Sequence, residues 1–270
     1  MSATTTPSPV TIASLQEMKA QGRKIASLTC YDASFTQVLE AAGVDVFIVG
    51  DTLGMVLKGY ESTVSVTMPD MIYHAASVAR VGRHSLRVVD LPYMSYATPE
   101  LALGNAARLM REGGAHMVKL EGGMQMAGVV EHLVQHSIPV CGHVGLLPQS
   151  VHKVGGYRVQ GRDAAGAEAV LADARALESA GAALLVIECV PADLGARISA
   201  AVNIPTIGIG AGPGCDGQVL VLYDMLGITP GRRPRFVKDF LAETGSVSAA
   251  IAAYVKAVRE GHFPGPEHSY

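Results

Sequence analysis

Six ionisable or polar side chains in this sequence stand where an apolar run stops: Asp51, Asp90, Lys119, Glu121, His143 and Glu188. If the runs ending at Asp51 and Asp90 are neighbouring strands, the two carboxylates lie about 4.8 Å apart. Carboxylates that close repel unless one is protonated or a cation lies between them. Hard oxygen donors select Mg²⁺ or a similar ion over zinc. Lys119 and Glu121 are two positions apart, so on one strand they face the same way. Glu121 can then reach the metal, directly or through water, and Lys119 can neutralise a substrate carboxylate beside it. The plainer use of Lys119 is an ion pair with Glu121 or with the preceding strand's Asp. Glu188 follows Leu184-Leu-Val-Ile187 and precedes Cys189-Val-Pro191. So apolar a setting raises a carboxyl pKa, which suits a general base. Cys189 pairs with no evident His and is expected to pack rather than attack. The alternative for the carboxylates as a set is that each caps the next helix or turn.

These residues need a scaffold that brings strand ends together. Short β-rich runs recur along the whole chain: Lys24–Cys30, Val44–Gly50, Leu86–Asp90, Ala115–Glu121, Ile138–His143, Ala183–Glu188, Ile204–Ile209 and Gln218–Leu222. Several are continuously apolar, the pattern of parallel strands covered on both faces. Between them lie amphipathic stretches such as Ser34–Ala42, Pro99–Glu112 and Asp163–Ala180, each followed by Gly. Eight β units joined by α crossovers predict a closed (β/α)8 TIM barrel, with an open doubly wound sheet as the structural alternative. Thr11–Gln21 reads as an extra N-terminal helix across the barrel bottom, and Ser246–Glu260 as a final helix capped by Ser246. The barrel is expected to span 11–270, behind a disordered arm of residues 1–10. In such a barrel the chemistry sits at the C-terminal strand ends, where all six residues fall.

Composition sets the outer bounds. The chain has 270 residues, 49% hydrophobic but only 5% aromatic with no Trp, so its core is aliphatic. Only 17% of residues are charged, which points to surface reburied between subunits. A net charge of −3 excludes a general polyanion or nucleic-acid binder. The four cysteines form no CxxC, which argues against a zinc ribbon or disulfide framework and for a reducing, cytoplasmic home. No apolar run approaches the ~18 residues of a membrane span, and the N-terminus has no signal-peptide pattern.

Two motifs are decoys. Gly212-Pro-Gly-Cys-Asp-Gly217 fits GxGxxG, but a strand follows where a dinucleotide fingerprint needs a helix. It is expected instead to form a tight rim loop where backbone approaches ligand. His132 and His136 are four apart without an HExxH, and read as a solvated helix face.

The strand ends also carry a resemblance. The stretches Tyr31-Asp-Ala, Val49-Gly-Asp-Thr-Leu-Gly-Met55, Asp90-Leu-Pro, Val118-Lys-Leu-Glu-Gly-Gly123 and Gly142-His-Val-Gly-Leu-Leu-Pro-Gln149 occur in that order. Glu188-Cys-Val-Pro191, Ile207-Gly-Ile-Gly-Ala-Gly212 and Asp216-Gly-Gln-Val-Leu-Val221 follow. The ordered set resembles the ketopantoate hydroxymethyltransferase family of pantothenate biosynthesis, from about Thr11 to the C-terminal tail. The resemblance implies a barrel of the phosphoenolpyruvate/pyruvate type that uses Mg²⁺ and 5,10-methylenetetrahydrofolate. It implies Asp51, Asp90 and Glu121 as metal-site acids and Glu188 as proton acceptor. Asp51, Thr52, Asp90, Lys119 and His143 fall to the ketoacid, with Lys119 on its carboxylate. Thr52 departs from the family's usual Ser in Gly-Asp-Ser-Leu-Gly, keeping the hydroxyl and adding a methyl.

The implied reaction agrees with the residue-level reading. Mg²⁺ chelates the keto and carboxylate oxygens of 3-methyl-2-oxobutanoate, Glu188 removes the C3 proton, and the metal stabilises the enolate. The enolate takes the one-carbon unit of methylenetetrahydrofolate, giving 2-dehydropantoate and tetrahydrofolate. The segment from Gly145 to Arg162, with Lys153, Arg158 and Arg162, is expected to be a mobile rim loop for folate's glutamate tail or a plain surface loop. The family forms homo-oligomeric rings of about ten subunits, which the low charge permits. Competing readings are another Mg²⁺-dependent ketoacid lyase or mutase, whose usual Lys-Lys-Cys-Gly-type loop is absent here, and a non-catalytic ketoacid-binding barrel, which needs no Glu188.

Overall fold

The computed structural model describes residues 8–231 and 233–270; residues 1–7 of the expected arm lie outside the described residues. Val10 already donates its backbone N–H to the His84 carbonyl at 2.6 Å. Among the described residues, strands β1 (Ile25–Thr29), β2 (Val46–Val49), β3 (Leu86–Asp90) and β4 (Met117–Lys119) are followed by β5 (Val140–Gly145), β6 (Leu184–Glu188), β7 (Thr206–Ile209) and β8 (Gly217–Leu220). All pair in parallel with their sequence neighbours, and β8 closes on β1. The expected closed barrel forms, and the open sheet does not.

The longer helices are α1 (Ile12–Ala20), α2 (Ala33–Ala41), α3 (Met68–Val81), α4 (Pro99–Arg111), α5 (Ala127–Gln135), α6 (Ala164–Ser179), α7 (Ala192–Ala201) and α8 (Val247–Arg259). Most of their starts follow from side-chain capping. Asp32, Thr98, Asp163 and Ser246 each accept the orphan backbone N–H of the residue three positions on, and Thr67 and Asp70 form a reciprocal capping box. None of the four strand-end carboxylates is the N-cap of the described helix that follows its strand, although Asp90 and Glu121 each accept a backbone N–H from another strand's loop.

Helices cover the outside of the barrel, which is why the strands are buried on both faces and read as apolar runs. The Tyr254 hydroxyl of α8 sits on the carbonyls of Ser27 (2.8 Å) and Gln218 (2.9 Å), clamping the β1–β8 seam. At the barrel bottom, α1 buries Leu15 and Met18, and its Lys19 ammonium bonds Asp216, just ahead of β8, at 2.8 Å. No helix among the described residues is long and apolar enough to cross a membrane.

Between β7 and β8 the structure corrects the rim-loop expectation. No helix intervenes there; residues 210–216 run back along the outside of the barrel to its bottom. A Cβ at Gly212 or Gly214 would overlap Ala192 or Ala196 of α7. The glycines therefore let backbone lie against a helix rather than against a ligand. Lys24, ahead of β1, bonds the Pro213 carbonyl at 3.0 Å, which places that part of the segment at the bottom end.

Candidate active site

Side chains alternate across a strand, so inward positions repeat every second residue. This period carries Ile48 and Gly50, Lys119 and Glu121, Val186 and Glu188, and Val219 and Val221 into one cavity at the C-terminal end of the barrel. Asp51, Thr52, Asp90, His143, Thr29, Pro148 and Ile209 complete its lining. The cavity is two-sided. The ends of β2 to β6 supply the charged groups, and Ile209, Val219 and Val221 on the β7–β8 side supply an apolar arc with Ile48 and Val186.

Asp90 and Lys119 are register partners, and Lys119 Nζ lies 3.2 Å from Asp90 Oδ2. The ion pair with the strand-3 Asp therefore exists. The same Asp90 oxygen accepts the Asp51 backbone N–H at 3.1 Å, while its Oδ1 is buried with no hydrogen-bond partner. Asp51 Oδ2 accepts from the Gln149 side-chain amide at 2.8 Å, and Glu121 Oε2 accepts the Gln149 backbone N–H at 3.0 Å. Glu121 lies two residues beyond the end of β4 and still faces the cavity. His143 Nδ1 is 3.3 Å from Lys119 Nζ and 3.8 Å from Glu121 Oε1. Its Nε2 lies 3.2 Å from Glu188 Oε2, close but not aligned as a hydrogen bond.

Burial and charge set the proton affinities. Burial, then the Asp90 carboxylate, raises the Asp51 pKa; burial raises that of Glu121 as well, against the pull of Lys119. Burial alone pushes Glu188 up to about 7, opposed only by Lys119. Burial would depress the Lys119 ammonium, but Asp90, Glu121 and Asp51 outweigh it and push it up. His143 is driven well below its usual range by burial and by Lys119, so its ring is neutral. Four carboxylates thus face one ammonium.

A divalent cation fits this donor set. The Asp51 carboxyl lies near enough to Asp90 to be raised by its charge, and the buried Asp90 Oδ1 has no hydrogen-bond partner. No group of three His, Cys, Asp or Glu side chains converges as metal donors among the described residues. Glu121 has its oxygens on Gln149 and near His143 instead.

The sequence matches the family model for ketopantoate hydroxymethyltransferase over residues 9–266. The chain belongs to that family. A 3-methyl-2-oxobutanoate hydroxymethyltransferase of Nitrosococcus oceani is 59% identical over 261 residues, covering 97% of this chain and 99% of the relative. One of Burkholderia multivorans is 56% identical, covering 97% and 96%. Among solved structures, 2,3-dimethylmalate lyase, a PEP mutase/isocitrate lyase superfamily member, superposes with a TM-score of 0.59 at 17% identity, covering 82% of this chain and 84% of that one. Phosphonopyruvate hydrolase in complex with oxalate and Mg²⁺ gives 0.60 at 11% identity, covering 78% and 80%. These structures share the fold. Family membership makes the chain a hydroxymethyltransferase, an enzyme of pantothenate synthesis, and sets aside the lyase or mutase and the non-catalytic barrel.

The hydroxymethyltransferase barrel brings all seven residues singled out in the sequence into one cavity. Cys189, next to Glu188, is buried with its thiol pushed up by burial and by Glu188, and its backbone is left-handed at φ 47°. All four cysteines are free and buried. His132 and His136 lie with ring centroids 4.5 Å apart and tilted by 50° on α5 and its end, and His136 is exposed. The expected rim loop after β5 is more structured than a plain loop, with helical turns at Pro148–Ser150 and Val151–Val154; Lys153, Arg158 and Arg162 are exposed. Sequence reasoning missed Gln149 and Tyr96, whose neutral side chains lie in loops beyond the strand ends. The only signal was Gln149's place at the close of the Gly142–Gln149 motif.

Proposed function

We propose that this chain transfers a hydroxymethyl group from 5,10-methylenetetrahydrofolate to 3-methyl-2-oxobutanoate, giving 2-dehydropantoate and tetrahydrofolate. The observation that carries the reading is the Glu188 carboxylate, raised to about 7, opening beside Lys119 and the Asp51–Asp90 pair. Lys119 and the Thr52 hydroxyl hold the ketoacid carboxylate, and His143 helps to hold the ketoacid. The isopropyl group of the ketoacid lies against the apolar arc of Val186, Ile209 and Val219, which puts C3 on the Glu188 side. Glu188 takes the C3 proton at its carboxylate oxygen, and neutral His143 leaves that carboxylate free to accept it.

Asp51 and Asp90 would hold a Mg²⁺ ion, with Glu121 acting on it from beyond, a reading supported by the unpartnered Asp90 oxygen. When bound, the ion supplies positive charge next to the ketoacid oxygens, which makes the C3–H more acidic. The mechanism breaks the C3–H bond and the bonds from the folate nitrogens to the methylene carbon, forms a C3–CH₂ bond, and takes the hydroxyl oxygen from water. Arg158, Arg162 and Lys153 on the exposed β5 segment meet folate's anionic tail.

The test is direct. Purified chain with Mg²⁺ and C3-deuterated 3-methyl-2-oxobutanoate in H₂O, without folate, should lose the label. Adding methylenetetrahydrofolate should yield 2-dehydropantoate by mass spectrometry. Retention of the C3 label under both conditions refutes the reading.

A further inference from the structure

The segment after β5 carries a buried residue, Gln149, whose groups contact three other strand ends. Its side-chain Nε2 donates to Asp51 Oδ2 at 2.8 Å and to the Leu91 carbonyl at 3.0 Å. Its backbone N–H donates to Glu121 Oε2 at 3.0 Å. Its Oε1 accepts from the Tyr96 hydroxyl at 2.5 Å, and that phenol oxygen accepts the Glu121 backbone N–H at 3.3 Å. Gln149 and Tyr96 are both buried.

The pattern fixes the amide without ambiguity. One end faces two acceptors, the Asp51 carboxylate and the Leu91 carbonyl, and must be the NH₂; the other end is then the carbonyl, and it accepts from the Tyr96 phenol. Turning the amide over would set oxygen against oxygen at Asp51 and at Leu91. The Leu91 carbonyl and the Asp51 carboxylate therefore determine which end of Gln149 is the NH₂, and the Tyr96 hydroxyl anchors the carbonyl end. The position of Tyr96 follows from the turn after β3, where Met94 is left-handed (φ 62°) and Asn105 of α4 holds the Ser95 carbonyl at 2.7 Å.

The side-chain amide is not needed to tether the loop. Leu146 N–H bonds the Glu188 carbonyl at 2.9 Å, Ser150 N–H bonds Leu147 at 2.8 Å, and Gln160 N–H bonds Cys189 at 2.8 Å, all through backbone alone. The amide is free to act on Asp51, and its neutrality matters there. A cation at this point would compete with a divalent ion for the carboxylate, whereas an amide pins one oxygen and leaves the charge in place.

We propose that Gln149, anchored by Tyr96 and the Leu91 carbonyl, is a positioning residue that holds the Asp51 carboxylate in the rotamer that receives the divalent cation. This rests on the reading of Asp51 and Asp90 as cation ligands. Without the amide, Asp51 can turn from Asp90, which repels it, and the paired donor set is lost.

The experiment measures Mg²⁺ binding by calorimetry on the full chain, with no ketoacid or folate, for wild type, Gln149→Met, Tyr96→Phe and Asp51→Asn. Methionine keeps the length of Gln149 and removes both polar ends. Gln149→Met should weaken Mg²⁺ by about 10- to 100-fold, the usual effect of losing a group that orients a ligand. Tyr96→Phe should weaken it by a smaller factor, about 2- to 10-fold, because the amide remains but loses the anchor on its carbonyl oxygen. At saturating Mg²⁺ the ketoacid KM of both variants should return to near the wild-type value, which a purely structural defect does not permit. Mg²⁺ affinity within twofold of wild type in Gln149→Met, with Asp51→Asn weakened, overturns this proposal alone. Unchanged affinity in Asp51→Asn overturns the cation reading beneath it. If Gln149→Met does not fold, Tyr96→Phe decides: wild-type affinity there overturns the proposal.

Discussion

Glu188→Gln keeps the shape of the side chain and removes its ability to accept a proton at ordinary pH. Under the proposed mechanism it should still bind Mg²⁺ and the ketoacid, yet lose C3–H exchange in D₂O by about 10²- to 10⁴-fold, the range for a positioned base. Turnover with methylenetetrahydrofolate should fall in parallel. The wild-type pH profile follows from the carboxyl raised by burial to about 7. Only the ionised form accepts a proton, so without Mg²⁺ exchange should rise about tenfold per pH unit below 7 and level off above it. An unshifted carboxylate would level off near its usual value of 4.5. Bound Mg²⁺ favours the ionised form and should move the midpoint down. Stability provides an independent reading. The folded-state pKa lies above the unfolded value, so the folded chain binds the proton more tightly between them. The stability contributed by protonated Glu188 is full below pH 4.5 and is lost as pH rises through about 7. The shift corresponds to roughly 3 kcal/mol at pH 8. Glu188→Gln should therefore be more stable than wild type at pH 8 in metal-free buffer, by up to about that amount, and indistinguishable near pH 4. Denaturant unfolding measures this, and NMR follows the exchange. A variant that exchanges C3–H at the wild-type rate refutes the assignment and makes His143, 3.2 Å away, the leading base.

Asp51→Asn and Asp90→Asn should each weaken Mg²⁺ by at least tenfold in calorimetry while circular dichroism stays native; unchanged affinity in both removes the metal assignment. Lys119→Met should raise the ketoacid KM more than it lowers kcat, and should cost about 3–5 kcal/mol in unfolding experiments because it strands the buried Asp90 carboxylate. Glu121→Gln, in contrast, should mainly alter the Mg²⁺ dependence of activity, and equal KM effects of the two changes would remove the distinction between their roles. A Cβ at Gly145 would overlap the Glu188 carbonyl oxygen, and Gly145 is left-handed at φ 91°. Gly145→Ala should therefore lower kcat by at least tenfold; wild-type kcat in a folded variant would show that the β5–β6 contact does not place the base.

What was legible in the sequence was what repeats. Eight apolar runs and their glycine-stopped helices specify a barrel because each local pattern supports the same closure. Asp32, Thr98, Asp163 and Ser246 mark helix starts that the structure keeps. The charged site was legible because an ionised group at the end of an apolar run is conspicuous. The missing parts leave no such contrast. Gln149 and Tyr96 are neutral and lie in loops, and their meeting depends on turns after β3 and β5 that have no period. The β7–β8 crossover was misread for a related reason. Its glycines are the same whether backbone approaches a ligand or α7, and only the position of Ala192 and Ala196 decides between them.

The electrostatics of the cavity link these separate points. Asp51, Asp90, Glu121 and Glu188 converge on Lys119, and burial raises Asp51, Glu121 and Glu188 together. Those three oppose folding as pH rises, since each loses a proton that the folded state holds more tightly than the unfolded chain. A core built for stability would have apolar groups there, as the β7–β8 side of the same cavity does. The charge is confined instead to one half of the cavity, facing the place where a dianionic enolate would form. An added divalent cation offsets the excess negative charge, so one ion can both restore stability and prepare the site to accept the ketoacid. Thermal unfolding at pH 8 should accordingly rise with Mg²⁺, and the rise should shrink in Asp51→Asn, where one of the repelling charges is already gone.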